Sequence, residues 1–76
     1  MEIINIISAI NLTDKLRYIT DVLFMGNEDE FRDAYWDDCR ASLRSGNWDW
    51  VDNELLAYVE QGQVNLTDLV QFRHDA

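Results

Sequence analysis

The chain has three glycines and no proline, and each glycine follows a segment whose apolar residues recur every three or four positions. The glycines are Gly26, Gly46 and Gly62. Glycine directly after such a segment adopts the left-handed conformation that ends a helix at the lowest steric cost. An asparagine, which is a favoured N-cap residue, follows each glycine within three positions. This pattern of a glycine after each segment and an asparagine soon after it predicts an all-α chain of consecutive short helices.

Apolar periodicity divides the chain into five helical segments, at about 2–10, 12–25, 28–44, 48–61 and 66–74. The first is rich in isoleucine and therefore also has strand propensity, but its apolar spacing of three and four favours a helix. The other segments each carry one apolar stripe. These stripes are Leu12, Leu16, Ile19, Leu23 and Val22; Phe31, Tyr35, Cys39 and Ser42; Trp48, Val51, Leu55, Tyr58 and Val59; and Leu66, Leu69 and Val70. We predict a single helical domain, 1–76, in which four to five short helices form a compact bundle.

The net charge of the chain argues against anionic ligands. The chain has 15 acidic residues against 6 Lys and Arg, a formal net charge of −9. Affinity for nucleic acid comes mainly from Lys and Arg that displace counterions, and anionic membranes attract the same residues. Direct binding to nucleic acid or to a membrane surface is therefore not expected. The hydrophobic content of 47% is too high for charge-driven disorder.

Targeting signals are weak. The N-terminal stretch is apolar, but it carries Glu2 where a secretory signal has basic residues. No apolar run approaches the roughly 18 residues of a membrane-spanning helix. We expect a cytoplasmic protein. The single cysteine also forbids an internal disulfide and any site built from several cysteines.

Residues that could support catalysis are few. His74 is the one histidine and lies near a chain end, where fraying is common. Cys39 falls within an apolar stripe, where thiols are usually inert. Asp37 and Asp38 are neighbours and point about 100° apart on a helix, which is poor geometry for sharing a proton. We expect no enzyme, no cofactor and no metal site.

The acidic residues concentrate in the middle of the chain. Residues 27–60 contain ten acids and three arginines, a local net charge of −7. Asp29, Asp33 and Asp37 recur every four residues on the face opposite the apolar stripe, about 6 Å apart on a helix, with Asp38 beside them. Successive phosphates of a nucleic-acid strand have a similar separation. The alternative is that these acidic residues are simply solvated, with acids at the start of the helix and arginines at its end, as the helix dipole favours. The dipole does not explain Asp33 and Asp37, which lie in the middle of the helix.

Two tryptophans extend this acidic surface. Trp36 lies at the margin of its stripe, and Trp50 is about 160° away from Trp48, on the polar side of its own helix. A tryptophan surrounded by acids is suited to anchor a partner whose Lys and Arg the acids contact. The alternative is that both indoles are covered inside a small bundle. The candidate partner-binding residues are Asp29, Asp33, Trp36, Asp37, Asp38, Trp50 and Glu54.

These features favour a small acidic protein without enzymatic activity that inhibits by occupying the basic groove of a nucleic-acid-handling protein. Phage-encoded anti-CRISPR and anti-restriction proteins and the immunity proteins of nuclease toxins are functional classes of this kind. The alternative from another class is a helical adaptor or regulatory protein that self-associates, as a homodimer for example, through the isoleucines of the first segment.

Overall fold

The computed structural model describes residues 2–72, and within this range the chain forms five α-helices and no β-strand. The helices are α1 (Ile3–Ser8), α2 (Leu12–Tyr18), α3 (Glu28–Ser45), α4 (Asp49–Glu60) and α5 (Leu66–Gln71). A π-helical turn, Ile19–Leu23, continues α2. The predicted fold class, a small all-α bundle, is confirmed, and the isoleucine-rich first segment is a helix.

Three of the helices have an asparagine N-cap whose side chain accepts a hydrogen bond from a backbone amide of the first turn. The side chain of Asn11 accepts a hydrogen bond from the Thr13 amide at 2.8 Å at the start of α2. Asn27 and Asn65 accept in the same way at the starts of α3 and α5. These bonds satisfy amide groups that have no partner within the first helical turn. At the other end of α3, Gly46 ends the helix with a φ of 75°.

One hydrophobic core joins the helices. Its fully enclosed side chains come from the predicted stripes and from α1: Ile7, Ile19, Val51, Leu55 and Leu69. Two predicted stripe members, Val22 and Val70, are exposed instead. Val22 lies in the π-helical turn, whose wider hydrogen-bonded loop rotates it away from the stripe. Near Val70, the chain becomes extended at Phe72, whose ring packs edge-on against Tyr18 at 5.3 Å.

Three predicted segments end two or three residues later than the observed elements, and the first of them, predicted to reach residue 10, ends at Ser8. The second, expected to reach residue 25, changes to π-helical geometry after Tyr18 and finishes at Leu23. The fifth, expected to reach 74, ends at Gln71. The last two positions of that prediction, 73 and 74, lie outside the described residues, and His74 is one of them.

The helix that carries most of the candidate residues is bent. Tyr35, inside α3, has φ −124° and ψ 20°, and the helix is kinked there. Its side chain is buried and is held by other elements: the hydroxyl donates to Glu54 Oε2 at 3.1 Å, and the ring stacks on Trp50 at 5.1 Å. The kink therefore lies where α3 is attached most firmly to α4, between Asp33 and Asp37.

A buried ion pair ties α2 to α4. Lys15 is only 5% exposed, and its Nζ lies 2.6 Å from Asp52 Oδ1. The Lys15 ammonium was not among the residues expected in the interior. Together with the Tyr35 contacts, this pair fixes the central helices and leaves the middle of α3 facing outward.

Candidate protein-binding surface

The middle of α3 forms a surface depression that is largely acidic. Its lining is Arg32, Asp33, Ala34, Trp36, Asp37 and Asp38, and we refer to it as the acidic depression. Four of the seven candidate residues from the sequence thus lie together in one place. Asp33 precedes the Tyr35 kink and Asp37 follows it, so the bend does not separate them onto different surfaces.

The carboxylates of the acidic depression have no ion-pair partner in the part of the chain that the structure describes. Among residues 2–72, no Lys or Arg forms an ion pair with Asp33, Asp37 or Asp38. Arg32 also lines the depression, but its ion-pair contact, at 3.9 Å, is with Asp29. Arg17 pairs with Asp21 at 2.8 Å and with Glu28 at 3.0 Å. These three aspartates are therefore charges that an external cation could contact without first breaking an internal pair.

Trp36 is the large aromatic side chain of this surface. Half of its area is exposed to solvent. The Arg40 guanidinium lies 5.9 Å from the centroid of its ring, one turn further along α3. A cation over an indole contributes about 0.5–1 kcal/mol at an exposed site, enough to favour one orientation of the ring. Arg40 was not predicted as a neighbour of Trp36, although its i,i+4 spacing is visible in the sequence.

The aspartate row is not the even ladder that a straight helix would give. Asp29 is exposed in the first turn of α3, where the nearest cation is Arg32 at 3.9 Å, and it does not line the acidic depression. The kink at Tyr35 then interrupts the helical spacing between Asp33 and Asp37. What the fold presents is a compact group of three carboxylates around Trp36, with Asp29 outside it.

The structure places the remaining two candidates, Trp50 and Glu54, between α3 and α4. The Trp50 indole is partly buried, and its Nε1 donates to Ser42 Oγ at 2.7 Å. Glu54 accepts from the Tyr35 hydroxyl. The prediction that Trp50 lies on the polar side of its helix is corrected: it lies in the first turn of α4, where its ring stacks on Tyr35 and its indole N–H bonds to Ser42, both on α3.

Cys39 has the surroundings expected of a structural thiol. Burial, with a smaller contribution from Asp38, raises the pKa of its thiol, which lowers the thiolate fraction at neutral pH. Within the part of the chain that the structure describes, no group of three or more His, Cys, Asp or Glu side chains could hold a metal ion. No helix in residues 2–72 has both the length and the apolar character needed to cross a bilayer.

The buried tyrosines give the fold a testable dependence on alkaline pH. Burial, then Tyr58 and Glu54, raises the pKa of Tyr35 far above 10.0, and burial with Asp68 raises that of Tyr18. Both groups therefore stay protonated in the folded state at pH values where the unfolded chain ionises. The two tyrosines should leave the free energy of unfolding unchanged between pH 8 and about 9 and lower it above pH 10. The slope from Tyr35 approaches about 1.4 kcal/mol per pH unit, and Tyr18 adds to it until its own raised pKa is passed.

Urea unfolding followed by circular dichroism between pH 8 and 11.5 measures this dependence. The Tyr35→Phe variant is the control, because it removes one of the two titrating groups and should make the decline shallower. An identical decline in the variant would mean that Tyr35 does not contribute.

Comparisons with protein-family models, with curated proteins and with solved structures find no match to this chain. The fold and the surface define its class, a small acidic all-α domain in which three carboxylates without an ion-pair partner among residues 2–72 line a depression with an exposed tryptophan.

Proposed function

We propose that this protein is a non-enzymatic inhibitor that binds the basic groove of a nucleic-acid-handling protein and keeps nucleic acid out. The observation that carries the proposal is the exposed Trp36 surrounded by Asp33, Asp37 and Asp38, none of which has an ion-pair partner among the described residues. Like charges so close together repel one another, and a surface used only for solubility does not require them. A partner rich in Lys and Arg would relieve the repulsion.

The parts of this surface would have separate roles in binding. The carboxylates would stand where the phosphates of the displaced nucleic acid stand, and would contact the same Lys and Arg side chains. Trp36 would supply the area that is desolvated at the centre of the interface, a role in which tryptophan is over-represented. The net charge of −9 would speed association with a positively charged cleft. Inhibition would follow from occupancy, with no chemical step.

A capture experiment with a competitor tests the proposal. The protein is immobilised, exposed at low salt to a lysate of the cells in which it acts, and eluted with nucleic acid of mixed sequence. Proteins that bind nucleic acid should be retained, should be displaced by that competitor and should be absent when Asp33, Asp37 and Asp38 are replaced by asparagine. Retention that nucleic acid does not displace, or that the asparagine variant reproduces, would contradict it.

Self-association is the second candidate, from a different class. An apolar groove between α1 and α5, lined in part by Ile6, Ile10 and Val70, favours it. Part of the isoleucine stripe is used internally, however, since Ile7 is fully buried in the core and Ile10 packs against it, whereas Ile3 is exposed. Sedimentation at micromolar concentration separates the two functions: the inhibitor is expected to be a monomer, whereas a dimer that persists at high salt would favour the adaptor.

A further inference from the structure

An apolar groove between α2 and α3 adjoins the acidic depression, and Trp36 lines both. The groove has a volume of about 330 Å³ and is lined in part by Leu16, Thr20, Phe31 and Cys39. This volume is at the lower end of the range for ligand sites in proteins, and it suits one large side chain better than a whole cofactor.

Charge determines what kind of side chain can enter. The charged residues that line the groove itself are Arg17, Arg32 and Glu28, with a net charge of +1. The adjoining depression adds Asp33, Asp37 and Asp38, so the two together have a net charge of −2. The charge of Arg17 is already compensated by Asp21 and Glu28. Arg32 lines both cavities and lies 3.9 Å from Asp29. An anionic ligand at Arg32 would meet the three aspartates beside Trp36, whereas a cationic segment would be attracted by them.

We propose that the groove receives an aromatic side chain from the same cationic segment that the acidic depression binds. This inference rests on the proposed function and names the chemistry of the partner: Lys or Arg side chains for the aspartates, and next to them one aromatic ring for the groove. Clefts that bind single-stranded nucleic acid combine these two components, because they hold phosphates with cations and stack bases on aromatic rings. The partner's cleft is accordingly of the single-strand kind, with Trp36 in the position of a base.

The structure provides a reporter for this test, because Cys39 is the one cysteine of the chain and it lines the groove. Two synthetic peptides serve as probes: a twelve-residue Lys/Arg peptide with one central phenylalanine, and the same peptide with alanine there. Their affinities are measured by calorimetry, and the rate at which N-ethylmaleimide alkylates Cys39 is measured at pH 8.5 with and without each peptide.

The phenylalanine peptide is expected to bind about tenfold more tightly than the alanine peptide, the order of one buried apolar side chain, and to slow alkylation of Cys39. The Cys39→Phe variant, whose new ring fills the groove, should bind the phenylalanine and alanine peptides equally. The matched control is Leu43→Phe, which adds an aromatic ring at an exposed position one turn further along α3.

The outcomes separate this inference from the proposed function. Equal, salt-sensitive binding of both peptides would overturn the role of the groove and leave the acidic surface intact. Binding that is independent of salt and unchanged when Asp33, Asp37 and Asp38 become asparagine would contradict the proposed function itself. No binding of either peptide at millimolar concentration would overturn the inference.

Discussion

Replacing Asp52 by alanine is expected to destabilise the fold by about 3–5 kcal/mol, the cost typical of removing one partner from a buried ion pair. Lys15 would be left almost fully enclosed without the carboxylate that its ammonium donates to at 2.6 Å. A domain of this length has a total stability of about 4–11 kcal/mol. The variant should therefore melt at least about 12 °C lower, and thermal unfolding followed by circular dichroism measures this.

Two further variants isolate the cause. Asp49→Asn neutralises an exposed acid at the start of the same helix and should leave the free energy of unfolding within about 0.5 kcal/mol of the parent value. The double variant Lys15→Met, Asp52→Leu replaces the whole pair with apolar side chains and should recover most of the loss. If the double variant is as unstable as Asp52→Ala, the cost is one of packing and the unpaired ammonium is not its origin.

The two tryptophans of the sequence-based prediction should respond in opposite ways to truncation. Trp50→Ala is expected to cost about 3–5 kcal/mol of stability, because it opens a cavity beside Tyr35 and leaves Ser42 without its indole donor. Trp36→Ala should cost less, about 1–2 kcal/mol, since half of Trp36 is exposed to solvent and its other contacts lie at the edge of the apolar groove and at Arg40. Urea unfolding measures both.

For binding to the partner, the substitution at Trp36 should have the larger effect and the substitution at Trp50 the smaller. Trp36→Ala is expected to weaken the binding of the captured partner about 30-fold, the effect of losing a tryptophan at the centre of an interface. For Trp50, the conservative Trp50→Phe variant keeps an aromatic ring in the core and should bind the partner like the parent protein. A loss of binding with Trp50→Phe, in a variant that remains folded, would return Trp50 to the interaction surface.

The helices were predictable because their signals are local. Asparagine caps such as Asn11 and Asn27 and the apolar stripes of three-and-four spacing depend on residues within one or two turns of each other. The structure follows these signals, and the fully buried residues Val51 and Leu55 belong to a predicted stripe.

The features that the sequence did not reveal depend on distant residues. The Lys15–Asp52 pair joins positions 37 apart, and in the sequence Lys15 is indistinguishable from a solvated cation. The kink at Tyr35 coincides with contacts to Glu54 and Trp50 on another helix. For the candidate site, periodicity alone placed Asp33, Trp36 and Asp37 near one another. It left open whether Trp36 and Trp50 are covered, because that depends on how α4 packs against α3.

The central claim is that binding depends on the position of three particular carboxylates and not on the overall negative charge. Two variants with equal net charge separate these possibilities. One replaces Asp33, Asp37 and Asp38 by asparagine. The other neutralises three exposed acids outside the acidic depression, Glu2→Gln, Asp49→Asn and Glu60→Gln.

The deciding measurement is the affinity of each variant for the captured nucleic-acid-binding protein across a series of salt concentrations. The asparagine variant of the acidic depression should bind at least about tenfold more weakly at low salt, with a shallower dependence on salt, because it has lost charges that face the partner's cations. The other variant should stay within about twofold of the parent protein. Equal weakening in the two variants would contradict the account, since it would mean that any three negative charges serve as well as those around Trp36.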